Sequence, residues 1–163
     1  MPPEATQAVR AGRRAARAAA ALPRLVVEQV RPSVDAGRHP VKRLVGEDLA
    51  VEATVFKEGH DLVAARIRYR GPGDRAWRVA PMSYDLHFDR CRGTFPLDRV
   101  GRWAFTVEAW TDRFGTWRQD VAKKVDAGQD VTADLSDGAA LVAEAAAHAR
   151  GPAARTLREL AER

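Results

Sequence analysis

The chain has 163 residues, 45% of them hydrophobic, and a formal net charge of +5. This length can bury a core without metal or disulfide support, and the single cysteine, Cys91, excludes an intramolecular disulfide. No apolar run is long enough to cross a bilayer, so we expect a cytoplasmic protein with no membrane partner.

Residues 1–22 form a basic extension in which four arginines face one glutamate, so most of the net charge lies there. The segment is rich in alanine and has few large apolar side chains, which predicts disorder in water. Binding of DNA or RNA through this basic segment is one possible interpretation. The rest of the chain mixes both charge signs without a recognition-helix or aromatic RNA-binding pattern, so we do not expect a nucleic-acid partner.

A series of short β-type segments begins after Pro23. Residues 24–30 are rich in β-branched side chains and predict a first strand, which Pro32 ends. Residues 33–48 follow as a long polar connection. This loop is either a contact surface that carries His39, Lys42 and Arg43 or a solvated crossover.

Further strands are predicted where apolar and polar residues alternate. They cover residues 49–56, 62–70, 77–82, 84–88, 101–110 and 117–125, and residues 92–97 lead into the strand at 101–110. Arg66, Arg68 and Arg70 share one face of their strand, which predicts a basic, solvated surface. Pro81 interrupts the two short strands around it and predicts that they lie at a sheet edge.

The strand at residues 101–110 is the centre of the predicted fold. Trp103, Phe105, Val107 and Ala109 fall on one face, so a second layer must cover these side chains. The pattern predicts an antiparallel β-sandwich of the immunoglobulin or fibronectin type. Trp110 lies on the opposite face and is the tryptophan that we expect to meet a second domain or chain.

The period changes to helical after Gly128. Apolar residues recur at three- and four-residue spacing, and Gly151-Pro152 predicts a break between two helices. These alanine-rich helices bury little alone, which predicts a partial helical bundle and a longer parent polypeptide. The predicted domains are the extension at 1–22, the sandwich at 23–128 and the start of the bundle at 129–163.

The sequence offers no catalytic, cofactor-binding or metal site. Its four histidines lack metal-ligand spacing, and no nucleophile elbow, phosphate loop, dinucleotide motif or carboxylate pair in a closed cleft is evident. We therefore expect a noncatalytic module that uses no cofactor. A cluster of Trp110, Phe114 and Trp117 leaves one alternative open, a stand-alone module that binds α-glucan by stacking on aromatic rings.

Several motifs in order give a more specific resemblance. They are Val30-Arg-Pro32, Gly37-Arg-His-Pro-Val-Lys42, Val45-Gly-Glu47, Val51-Glu-Ala-Thr-Val55, Glu58-Gly-His-Asp61, Pro81-Met82, Gly101 to Trp110, Thr116-Trp-Arg118, Lys123 and Ala127-Gly128. From about Leu25 to its end, the chain resembles the N-terminal region of bacterial α-1,4-glucan:maltose-1-phosphate maltosyltransferases. It departs from the family pattern at Asp89 to Gly93, where an aromatic residue is expected near Cys91.

The resemblance implies a role within a larger enzyme. Such enzymes are similar to α-amylases and transfer maltosyl units from maltose 1-phosphate to α-1,4-glucan with retention of configuration. Their sandwich and helices help form a homodimer and border the partner subunit's active site, whereas the chemistry belongs to a C-terminal barrel that this chain lacks. The implied partners are that catalytic domain and a second subunit, with α-glucan and maltose 1-phosphate bound by the full enzyme. The candidate contact residues are Lys42, Glu47, His60, Trp110, Trp117 and Arg118.

Overall fold

The computed structural model describes residues 25–161, which form six strands and three helices. The strands are β1 (Leu25–Arg31), β2 (Asp48–Lys57), β3 (Val63–Arg70), β4 (Arg78–Asp85), β5 (Arg90–Pro96) and β6 (Ala104–Thr111). The helices are α1 (Arg113–Asp126), α2 (Thr132–His148) and α3 (Pro152–Ala161), and a short 3₁₀ turn covers Asp35–Gly37. The prediction of a mainly β chain that ends in helices is confirmed.

All strand pairs are antiparallel, in the order β1-β2-β5-β4-β3-β6. Strand β4 links two layers, because it pairs with β3 from Arg78 to Met82 and with β5 only from Ser83 to Asp85. Strands β1 and β6, at the two ends of this order, also come into contact, so the sheet is nearly closed. The two layers face each other across one core.

The core is built by the alternation that the sequence predicts. Leu49, Val51, Ala53 and Val55 of β2 and Val63, Ala65, Ile67 and Tyr69 of β3 are all buried, whereas their neighbours are more exposed. Phe95 of β5 stacks on Tyr69 with ring centroids 4.3 Å apart. Trp103 and Phe105 close this cluster from the β6 side, at 6.1 and 5.9 Å from the Phe95 ring. The predicted aromatic centre is confirmed.

One strand replaces the two that were predicted around Pro81. Strand β4 runs unbroken from Arg78 to Asp85 and lies inside the sheet order, so the edge prediction is wrong. Proline is tolerated there because β4 is not yet paired with β5 at this point. Gly93 of β5 instead passes so close that a Cβ atom on it would lie 2.6 Å from the Pro81 carbonyl oxygen.

The predicted strand at residues 117–125 is also wrong, since these residues belong to helix α1. The side chain of Asp112 caps this helix by accepting a hydrogen bond from the Gly115 backbone N–H at 2.8 Å. Positions 117, 121 and 125 are four residues apart, a spacing that places them on one face of a helix as well as of a strand. The cap and tertiary packing select the helix.

The three helices pack on one another and scarcely on the sheet. Trp117 of α1 lies against Gly138 of α2 and donates from Nε1 to the Asp134 carbonyl oxygen at 2.6 Å. The predicted break at Gly151-Pro152 is confirmed, because α2 ends at His148 and α3 begins at Pro152. The domain boundary at residue 128 stays a prediction, and the predicted extension at 1–22 lies outside the described residues.

Candidate functional site

The six predicted contact residues lie at two opposite ends of the sandwich. Lys42 and Glu47 belong to the loop before β2, at the end where β6 begins. His60, Trp110, Trp117 and Arg118 belong to the end where β6 finishes and α1 starts. Trp103, just before β6, and Trp110 near its end are seven positions apart, which corresponds to roughly 23 Å of extended chain, so the two groups cannot form one site within a single subunit.

A cavity of about 790 Å³ occupies the first end. Its walls come from the end of β1, the loop at residues 32–45, and the segment from Leu97 to Phe105. Trp103 and Phe105 join the cavity to the core, and Leu49 lines it from β2. Among the described residues that line it, four are arginines and none carries a carboxylate. Such a cavity can bind apolar or anionic groups but has no side chain suited to acid–base chemistry on a sugar.

Lys42 and Glu47 lie on the loop beside this cavity but do not line it. Both side chains are exposed. The Glu47 carboxylate accepts a hydrogen bond from the Leu44 backbone N–H at 3.2 Å, which helps fix the loop. Within residues 25–161 the structure forms no ion pair between Lys42 and Glu47.

A charged cluster that the sequence analysis missed supports Trp103. The guanidinium groups of Arg78 and Arg99 lie 5.3 and 5.5 Å from the Trp103 ring, and Asp74 forms ion pairs with both. A hydrogen bond from the Gly71 backbone N–H, together with these two arginines, lowers the pKa of Asp74. The long-range pairing of Asp74 with Arg99 has no local signature in the sequence, so the sequence does not predict it.

At the second end, His60 and Arg118 are exposed, whereas Trp117 is half-buried between α1 and α2. The turn that carries His60 is attached to α1, since the Leu62 backbone N–H donates to Thr116 Oγ1 at 2.9 Å. Trp117 contributes to helix packing in this structure. The contact roles of all four residues at this end stay predictions.

Trp110 is 43% exposed and lies on the outer face, opposite Trp103, as predicted. Arg66 on β3 stacks over its ring at 5.6 Å. The carboxylate of Glu108 binds Arg66 and Arg68, each at 2.8 Å, and these hydrogen bonds lower the pKa of Glu108. The predicted basic surface is therefore partly neutralised, and one of its arginines covers part of the Trp110 ring.

The remaining chemistry of the described part is limited. Residues 25–161 contain no group of three or more His, Cys, Asp or Glu side chains that could hold a metal ion. Burial raises the pKa of the Cys91 thiol to about 11, which removes it as a nucleophile at neutral pH. No helix in this part of the chain is long and apolar enough to span a membrane.

Comparison with known proteins identifies the family. Residues 23–163 match the model of the alpha-1,4-glucan:maltose-1-phosphate maltosyltransferase domain N/S. The maltosyltransferase of Myxococcus xanthus is 52% identical over 128 residues, which cover 76% of this chain and 19% of that protein. Those of Chlorobaculum tepidum and Burkholderia pseudomallei are 42% and 38% identical, covering 82% and 98% of this chain but 20% and 14% of those proteins.

The chain therefore spans about a fifth or less of the length of these three curated relatives. The match includes both the sandwich and the helices, in agreement with the resemblance that the sequence motifs indicate. The chain belongs to the N/S-domain family of the alpha-1,4-glucan:maltose-1-phosphate maltosyltransferases.

Proposed function

We propose that this chain is the noncatalytic N-terminal part of a maltosyltransferase and acts in subunit assembly and in bordering the partner's active site. The observation that carries the proposal is the family match over residues 23–163, which includes every strand and helix described here. The parent polypeptide would transfer maltosyl units from maltose 1-phosphate to α-1,4-glucan in the cytoplasm. Its own C-terminal domain would supply the catalytic residues.

The carboxylate-free cavity wall supports a noncatalytic role for this part. Retaining transfer between sugars needs two carboxyl groups about 5–5.5 Å apart, one as nucleophile and one as acid/base. The described lining of the cavity offers four arginines, one histidine, one serine, glycines and apolar side chains, and no carboxylate. This lining supports the proposal that the sandwich shapes a neighbouring site and that another domain supplies the chemistry.

The exposed helix faces support a role in assembly. Val125, Leu135 and Leu160 are 55%, 53% and 52% exposed, and each lies on a helix that packs mainly on other helices. Complete burial of a Val or Leu side chain contributes about 1.5–3 kcal/mol, and roughly half of that remains available for each of these half-exposed side chains. A second subunit or further helices of the same polypeptide would bury them.

Sedimentation equilibrium of the 163-residue chain tests the assembly role. We expect a dimer, and we expect Leu135→Asp to weaken it at least tenfold because the substitution places a charge on the helix face. Thr94→Asp is the matched control, since Thr94 is also exposed but lies on β5. A wild-type chain that stays monomeric, or a Thr94→Asp variant that dissociates as Leu135→Asp does, contradicts assembly through the helices.

A second candidate function is α-glucan binding, and the exposure of Trp110 favours it. Trp110 is 43% exposed and Phe114, just beyond β6, is 45% exposed, so two rings at one junction could stack on sugar faces. Affinity electrophoresis in glycogen tests this. Glucan binding is supported if the wild-type chain is retarded, Trp110→Ala abolishes the retardation and Phe88→Ala leaves it unchanged. It is rejected if the wild-type chain is not retarded.

A further inference from the structure

The connection between β4 and β5 is a protruding apolar tip, Asp85–Asp89, which none of the predicted contacts uses. Leu86 and Phe88 are each 69% exposed. The tip is nevertheless firmly held, because the Val55 backbone N–H donates to the Asp89 carbonyl oxygen at 2.7 Å and the Tyr84 hydroxyl donates to the Asp89 carboxylate at 2.8 Å. Two large side chains are thus exposed on a turn that is attached to the sheet at Asp89.

The tip also carries negative charge. Its two carboxylates, Asp85 and Asp89, flank Leu86 and Phe88, and its only other polar side chain is His87. The Asp85 carboxylate accepts from the His87 backbone N–H at 3.0 Å, and the His87 ring lies edge-on to Phe88 at 6.3 Å. Both exposed apolar side chains therefore sit between two acidic groups.

The cavity at the other end of the sandwich has the complementary composition. Three of its lining residues, Leu44, Val45 and Val100, are 71%, 51% and 86% exposed, so its mouth is apolar. Arg43 and Arg102 line the same cavity, and within residues 25–161 neither pairs with a carboxylate. A volume of about 790 Å³ lies within the usual range for binding pockets.

The tip cannot enter the cavity of its own molecule. The tip is bonded to β2 at Val55, whereas the cavity begins at Leu49 of the same strand, roughly 20 Å away by the rise of an extended chain. The tip and the cavity lie at opposite ends of the same sandwich, so they can come into contact only when they belong to different molecules. A single contact of this kind joins different surfaces of the two subunits, so it closes into a dimer only where the reciprocal contact also forms.

We propose that the apolar, acidic tip of one copy docks in the apolar, arginine-rimmed cavity of a second copy, with Phe88 and Leu86 inside and Asp85 and Asp89 facing Arg43 and Arg102. Aromatic residues and arginines at the centre of a contact commonly supply most of its binding energy. The contact goes beyond the proposed function because it uses the tip, which none of the predicted contacts includes, although Arg43 of the cavity belongs to the loop predicted as a contact surface.

The charge of the alternative occupants favours a second copy. The extension at residues 1–22 has four arginines and one glutamate, so it would be repelled by the unpaired arginines of the cavity. The tip brings two carboxylates and two large apolar side chains to the same place. Of the segments known for this chain, the tip therefore fits the cavity best.

Resonance energy transfer between two differently labelled variants tests the contact. Phe88→Asp disables the tip and leaves the cavity intact, and Val100→Asp does the reverse. Both positions are exposed, so the fold should survive, as circular dichroism will show. Each variant carries Thr94→Cys for labelling, because the native Cys91 is buried and unreactive. We expect energy transfer when a donor-labelled Phe88→Asp chain meets an acceptor-labelled Val100→Asp chain.

Same-variant mixtures are the matched controls. Donor and acceptor copies of Phe88→Asp, or of Val100→Asp, cannot form the tip–cavity contact but still report any pairing through the helices. The proposal requires the mixed pair to associate at least tenfold more tightly than either same-variant mixture. Added salt should weaken the association of the mixed pair. Equal signals in all mixtures overturn it, even if the helix-mediated dimer exists. A mixed-pair signal that emerges only after residues 1–24 are deleted also overturns it, by assigning the cavity to that segment.

Discussion

Substitution of Gly138 by alanine should destabilise the helical part, although alanine normally strengthens a helix. A Cβ atom at this position would lie 2.1 Å from Trp117 Cζ2 and 2.4 Å from Cε2, far inside van der Waals contact. The Trp117 ring cannot retreat freely, because its Nε1 donates to the Asp134 carbonyl oxygen at 2.6 Å. The clash therefore separates α1 from α2 or breaks this hydrogen bond.

The expected loss follows from three contributions. Replacing glycine by alanine in a helix interior gains about 1 kcal/mol. Overpacking costs about 1–3 kcal/mol, and loss of the Trp117 hydrogen bond costs about 1 kcal/mol. The net effect of Gly138→Ala is a destabilisation of about 1–3 kcal/mol in the helices.

Urea unfolding followed by circular dichroism at helical wavelengths measures this loss, and native-state amide exchange in α1 and α2 locates it. The decisive control is the same substitution in a Trp117→Leu background. Without the indole ring, Gly138→Ala should instead stabilise the helices by up to about 1 kcal/mol. An equal effect in both backgrounds would refute the packing of Trp117 on Gly138.

Three further outcomes are expected. Phe95→Ala should cost about 3–5 kcal/mol in the free energy of unfolding, because Phe95 is fully buried, and a loss below about 1 kcal/mol in urea titration would contradict a close-packed core. Glu108→Gln should reduce the acid sensitivity of the sheet, because Arg68 and Arg66 lower the pKa of Glu108 in the folded state. The ionised carboxylate therefore contributes to the free energy of unfolding above its unfolded-state pKa, and this contribution is lost as pH falls through the folded-state pKa. Thermal melts of both proteins across acidic pH check this, and parallel profiles would reject it. Cys91 should resist a thiol reagent until the chain unfolds, because it is buried and its pKa is raised to about 11; rapid labelling of the native protein would contradict its position.

The sequence predicts the sandwich well because its strands bury one face. Leu49 to Val55 and Val63 to Tyr69 alternate without interruption, and the structure buries every second residue of both strands. Large aromatic side chains on one face of β6 also require a covering layer, which Phe95 and Tyr69 provide. Alternation of apolar and polar residues is sufficient to predict a strand wherever one face of that strand packs on a core.

The errors arise where local pattern is ambiguous or tertiary contact decides. Residues 117–125 fit both a strand and a helix by spacing, and the helix is selected by the Asp112 cap and by the groove at Gly138. Pro81 disfavours a paired strand, but β4 shifts from one partner to the other close to it, so no ladder hydrogen bond to β5 is lost there. Asp112 is a sequence signal for a helix start that the alternation at residues 117–125 concealed, whereas the groove at Gly138 and the change of partner along β4 arise only in the folded chain.

The candidate contact residues show the same division. Exposure of Trp110 on the face opposite Trp103 follows from strand alternation, and the structure agrees. The separation of Lys42 from His60 at opposite ends of the sandwich depends on strand topology, which the motifs do not contain. The cavity arises between β1, β6 and two loops, so no single segment of the sequence predicts it.

The most direct test of a noncatalytic role measures phosphate release from maltose 1-phosphate by the purified 163-residue chain with an α-1,4-glucan acceptor. We expect no release above the buffer rate, because the described residues provide no pair of carboxylates at the cavity. Turnover that rises in proportion to the concentration of this chain, and that is lost when the chain is unfolded, would contradict the account.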